Sequence, residues 1–148
     1  MRFFFLLFLS VWAINFSVDA QAKKAPGTKV QTVKPQVHRV VYDVTNADTT
    51  TQAALIRQLN NLKRVWPTSQ VEVVVHGKGL DLVLAQKSYK TGAIKELQQK
   101  GVVFAACENT MRFRKVSVTD LLPGVITVQM GVGEIIMKQE QGWSYIKY

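Results

Sequence analysis

The chain reads as a three-layer α/β/α domain on a mainly parallel sheet of about five strands. Three observations predict this. From His38 onward, short β-branched runs alternate with stretches of helical periodicity. The run Val102-Val103-Phe104-Ala105-Ala106 is apolar without interruption, as in a strand covered on both faces. Gly, Pro, Asn or Thr residues stand at the boundaries between the runs. Strand order cannot be read from one sequence.

The first segment, 1–20, has the pattern of a signal peptide. Arg2 supplies the positive end, and Phe3 to Phe8 with Leu9, Val11, Trp12, Ala13 and Ile14 form a short apolar stretch. Val18-Asp19-Ala20 and Ala20-Gln21-Ala22 offer cleavage sites, with the cut after Ala20 favoured. The expected location is periplasmic or secreted, with no membrane span left after cleavage. Residues 21–36 are rich in Lys, Pro, Gly, Thr and Gln, lack apolar periodicity and read as a flexible leader. The domain proper then covers residues 37–148.

His38 to Val44 is the first strand. Asp48 and the threonines after it cap a helix from about Thr51 to Trp66, in which Leu55, Leu59, Leu62 and Trp66 make one apolar stripe and Pro67 marks the end. Val71 to Val75 is the second strand. His76-Gly77-Lys78-Gly79 reads as a turn, and Leu80, Val83 and Leu84 as a short helix. Thr91 caps the next helix, which holds Ile94 and Leu97 and closes at Gly101. Val102 to Ala106 is the third strand, followed directly by Cys107. Asn109 caps a short helical segment through Met111 and Phe113. Thr119 to Leu122 forms one turn, stopped by Pro123-Gly124. Val125 to Val128 is the fourth strand. Gly131 and Gly133 permit a tight entry to the last helix, with Val132, Ile135 and Ile136, and Gly142 ends it. Trp143 to Tyr148 is a terminal edge strand.

Length fits one domain, and the hydrophobic fraction of 47% allows a real core. The formal charge of +9 favours anionic partners. The basic residues are scattered, without aromatic interleaving, so no nucleic-acid partner is expected. A single cysteine excludes an internal disulfide.

Ligands of open parallel sheets bind at the carboxyl ends of the strands. Three segments stand there: His76-Gly77-Lys78-Gly79, Cys107-Glu108-Asn109-Thr110 and Gly131-Val132-Gly133-Glu134. Cys107 is either a small buried hydrophobe or a thiolate stabilised by a helix start, aided by Arg112 or Arg114 and opposed by Glu108. His76 is a surface residue or a base. The glycine turns serve geometry, or cradle an anion through backbone amides. Two histidines and one cysteine make no metal pattern.

Val102-Val103-Phe104-Ala105-Ala106-Cys107-Glu108-Asn109-Thr110-Met111 and Asp120-Leu121-Leu122-Pro123-Gly124-Val125 closely resemble the DsrE/DsrF-like family, which includes YchN-like proteins. So do Gly131-Val132-Gly133-Glu134-Ile135-Ile136 and Gln141-Gly142-Trp143-Ser144-Tyr145-Ile146. The resemblance covers about Val37 to Tyr148. It implies the α/β/α fold, a homo-oligomer (often a trimer or hexamer), and a sulfur carrier with Cys107 as the persulfide-forming nucleophile. His76, Gly77, Lys78, Glu108, Asn109, Thr110, Gly131 and Gly133 stand as candidate supporting residues. No organic cofactor or metal is required, and the sulfur donor and acceptor are open. The alternative is a non-catalytic oligomer that holds a small anion against Gly77, Lys78 and Gly131. The relay members that carry sulfur are cytoplasmic and work with partner subunits, whereas this chain carries an export signal.

Overall fold

A computed structural model of the chain describes residues 37–148. The expected signal peptide (1–20) and leader (21–36) lie outside the described residues. Five strands, β1 (Arg39–Val44), β2 (Gln70–Val75), β3 (Val102–Cys107), β4 (Ile126–Val128) and β5 (Ser144–Lys147), form one sheet in the order β4-β3-β2-β1-β5. Every pairing is parallel. The helices are α1 (Thr49–Val65), α2 (Thr91–Gln99), α3 (Glu108–Arg114) and α4 (Gly131–Glu140), with 3₁₀ segments at Gly77–Val83 and Val118–Asp120.

Given this strand order, handedness fixes which face each helix covers. Crossovers between parallel strands are right-handed, so successive steps in one direction put their connections on one face. The steps β1 to β2 to β3 to β4 all run one way. Accordingly α1, α2, α3 and the Gly77–Val83 segment contribute to one core with Val40, Tyr42, Val44, Val73 and Phe104. The last step runs back across the whole sheet to the far side of β1, and its helix, α4, covers the other face. That minor face is thin: Val41, Val74, Ala105 and Ile135 are its buried apolar residues.

Most elements fall where the sequence places them. Asp48 caps α1 through a 2.7 Å bond from the Thr51 amide, and Gly101 and Gly142 end α2 and α4 with φ of 80° and 81°. Six readings need correction. Trp66 is exposed and stacks on the His38 ring at 4.2 Å instead of extending the stripe. The turn at Gly77 and the short helix after it are one 3₁₀ segment. Thr91 is the first residue of α2, after Lys90 at the cap position. Asn109 lies inside α3, and the cap position is Cys107 itself, the last residue of β3. Gly131 and Gly133 lie within the first turn of α4. Val103 is 38% exposed, so β3 is not covered on both faces near its start. No helix among the described residues is long and apolar enough to cross a membrane.

Candidate functional site

Chain direction fixes where a ligand can approach. β3 leaves the sheet toward α3 on the major face, whereas its neighbour β4 leaves toward α4 on the minor face. Adjacent strands that exit to opposite faces open a crevice at their carboxyl ends. Cys107 ends β3 in register with Val128 of β4, at that crevice.

Side chains alternate along a strand, so Cys107 shares the minor face with Ala105. Its Sγ accepts a hydrogen bond from the Gly131 amide at 3.2 Å, at the first residue of α4. Burial pushes the thiol pKa up. The amides of Gly131, Thr110 and Asn109 and the Thr110 hydroxyl together pull it further down, and the net value lies below the ordinary thiol range. Two helix starts thus converge on one sulfur, and both favour its anion. Cys107 is 5% exposed.

Closeness, not backbone angle, favours glycine at Gly131. A methyl group added there would meet Cys107 Cβ at 3.2 Å, His76 Cβ at 3.3 Å and Val74 Cγ1 at 3.3 Å. His76 therefore lies beside Cys107 under the start of α4, in the row after the Val75–Ala106 pair. Its Nε2 is 2.7 Å from Oδ1 of Asp43, which also accepts from Tyr145 and Lys147.

The remaining candidates divide. Gly77, Lys78, Asn109, Thr110, Phe113 and Arg114 line a cavity of about 650 Å³ that Cys107 and Gly131 do not line. The Gly77 amide donates to the Thr110 hydroxyl at 3.1 Å, so it is not free to cradle an anion. Gly133 packs against the Met130 side chain. Glu108 turns away from the sulfur and accepts from the Thr127 hydroxyl at 2.8 Å. Arg112 bonds Asn109, and Arg114 bonds Asp81 and the Gly77 carbonyl, so neither is an ion partner of the thiol. Phe113 projects into solvent at 89% exposure. The expected anion cleft spanning Gly77, Lys78 and Gly131 is therefore split between two places.

Sequence reasoning missed Asp43, Tyr145 and Lys147. One signal was available: an acid next to last in a strand otherwise made of valine and tyrosine must be paired if buried. Among the described residues no group of three or more His, Cys, Asp or Glu side chains is placed to hold a metal ion.

A family model described as the DsrE/DsrF-like family matches residues 36–148. The chain is similar to the solved structure of MTH1491, a protein of unknown function from Methanobacterium thermoautotrophicum. Identity is 35% and the TM-score 0.71, over 75% of this chain and 99% of that one. It is also similar in fold to BT1422, a conserved protein of unknown function from Bacteroides thetaiotaomicron, at 19% identity and a TM-score of 0.63, over 74% and 94% of the two chains. The ychN protein of E. coli matches at 12% identity and a TM-score of 0.61, over 76% of this chain and all (100%) of that one. No curated protein matches the chain.

Proposed function

The chain belongs to the DsrE/DsrF-like family, and on that premise we propose that it is a sulfur carrier that holds sulfur as a persulfide on Cys107. The supporting observation is the convergence of the Gly131, Thr110 and Asn109 amides on Sγ, which lowers the thiol pKa despite burial. The thiolate is the nucleophilic form of cysteine, and a lowered pKa raises its share at neutral pH.

The reaction balances without an external oxidant. The Cys107 thiolate attacks the terminal sulfur of a donor persulfide, R–S–SH. The new S–S bond forms as the donor's S–S bond breaks, and the departing R–S⁻ takes up the proton that left Cys107. The products are Cys107–S–SH and R–SH. His76, beside the sulfur, is the side chain that moves this proton. The narrow access to Cys107 suits a slender sulfur chain better than a bulky electrophile.

Export to the periplasm or medium, and assembly into a trimer or hexamer, belong to the same reading. Apolar residues left exposed on the α4 side, Val103, Ile126, Val132 and Ile136, support self-association.

The test is the rate of thiol modification by a small reagent against pH, on folded protein with Cys107→Ser as blank. Intact mass is then taken after exposure to a persulfide donor. The expected result is a thiol that ionises below the ordinary value of about 8.5 and gains one sulfur atom. A thiol that reacts only after unfolding and gains no sulfur overturns the reading. It would leave the cavity beside Gly77 and Lys78 as the place to look for a bound anion.

A further inference from the structure

We propose that Asp43 is a positioning residue of the Cys107 site: it fixes the His76 ring with the proton on Nε2 and leaves Nδ1 to exchange protons at the sulfur. This inference rests on the persulfide reading above.

Asp43 stands on the minor face, two residues after Val41, and is only 7% exposed. A carboxylate in such a place needs partners, and three come from two other strand ends. His76 Nε2 meets Oδ1 at 2.7 Å, while the Tyr145 hydroxyl and Lys147 Nζ both donate to Oδ2 at 2.9 Å. Burial pushes the Asp43 pKa up, but the bonds from Lys147, Tyr145 and His76 outweigh it and the net shift is downward. Asp43 is thus ionised at neutral pH and can only accept. Nε2 must then be the N–H nitrogen, and in the neutral ring Nδ1 carries the lone pair.

Holding β5 on the sheet does not by itself account for the cluster. β5 is already paired with β1 through four residues, Val40 to Asp43. A tie between β1 and β5 also has no need of His76, which lies on the other side of β1 beside Cys107. The other titratable groups near the pair are committed elsewhere: Glu108 of α3 to Thr127, and Glu134 of α4 to Lys138.

The division of labour between the two carboxylate oxygens makes Asp43→Asn a sharp variant. Tyr145 and Lys147 both donate to the Oδ2 position and will retain the amide oxygen there. The NH₂ group then falls opposite His76 Nε2, which must become the acceptor and move its proton to Nδ1. Shape and hydrogen-bond number are kept while the tautomer is inverted, a change known to cripple histidine bases elsewhere.

The experiment measures sulfur loading of Cys107 from a low-molecular-weight persulfide across pH, in the native chain, Asp43→Asn, Tyr145→Phe and Lys147→Met. Ring-nitrogen NMR shifts of His76 report the tautomer. Expected are a folded protein with a cooperative melt only modestly below the native one, an inverted tautomer and at least a tenfold slower loading for Asp43→Asn near neutral pH. That deficit should shrink at higher pH, where the thiolate forms without a base. Tyr145→Phe and Lys147→Met, which leave the Asp43 carboxylate on His76, should keep the proton on Nε2 and slow loading less than Asp43→Asn does. Native loading alongside an unimpaired Asp43→Asn, or a deficit that does not change with pH, overturns the role of Asp43 alone. A native chain that takes up no sulfur overturns the persulfide reading and this inference with it.

Discussion

On the major face of the sheet, Tyr42, Leu55, Leu59, Leu97 and Phe104 are wholly buried among aliphatic neighbours. On the minor face the same strands present Asp43, Glu72, His76 and Cys107 between a few small apolar residues, under one helix. Strand alternation sends Tyr42 and Phe104 to one face and Asp43, Glu72 and Cys107 to the other, while Leu55, Leu59 and Leu97 reach the major face from α1 and α2. The major face supplies packing, and that packing holds the minor face's polar groups in place. The difference teaches that the two faces should respond differently to the same kind of substitution.

The strongest test is truncation on each side. Phe104→Ala on the major face should cost about 4 kcal/mol, and Ile135→Ala on the minor face about 2 kcal/mol. Urea denaturation measures both, and equal losses would break the contrast. Next is the buried ion pair that joins α4 to the sheet. Lys138 Nζ lies 2.6 Å from Glu72 Oε2, and Glu72 Oε1 has no hydrogen-bond partner. Lys138→Ala strands that carboxylate and should cost about 3 kcal/mol. A loss below about 1 kcal/mol, the value of a surface pair, would show that the minor face is more open to water than its burial indicates.

The smallest effect separates the two buried acids by sign. For Glu72, burial outweighs the pull of Lys138 and the pKa is raised. Its contribution to stability is full below its unfolded pKa and is lost as pH rises through the folded value. For Asp43 the pKa is lowered, so its contribution is present above about pH 4 and is lost as pH falls. Glu72→Gln should therefore gain on the native protein as pH rises from 4 to 7, and Asp43→Asn should lose on it over the same range. Parallel curves of unfolding free energy against pH for the two variants would refute the assignment of opposite shifts.

Much of this was legible in the sequence. The β-branched runs, the Asp48 cap and the glycines closing α2 and α4 act through neighbours in the chain, so local pattern reveals them. The position of Cys107 at a strand end was readable for the same reason. The parts that were not readable depend on strand order. Gly131 is 24 residues from the sulfur it contacts, and Lys147 is 104 residues from Asp43. The pairing of β4 with β3 brings the first pair together, and the return of β5 to the side of β1 brings the second. Asn109, a good cap residue by type, and Arg112, a nearby positive charge, instead satisfy each other one turn apart. The short helical segment through Phe113 is found, and its seven residues bury only Met111, leaving Phe113 exposed.

The pairing of β5 with β1 has a kinetic consequence. Contacts about a hundred residues apart carry a loop-closure penalty that local contacts do not, so they form late in folding. The sulfur's surroundings depend on α4, which is delivered on the way to β5. In an unfolded or half-folded chain Cys107 is expected to react as an ordinary thiol, and to gain its lowered pKa only once α4 and the last strand have docked. In a stopped-flow refolding experiment, fast thiol reactivity should return with the slowest phase, and its return in an early phase would show that β5 is not the step that completes the site.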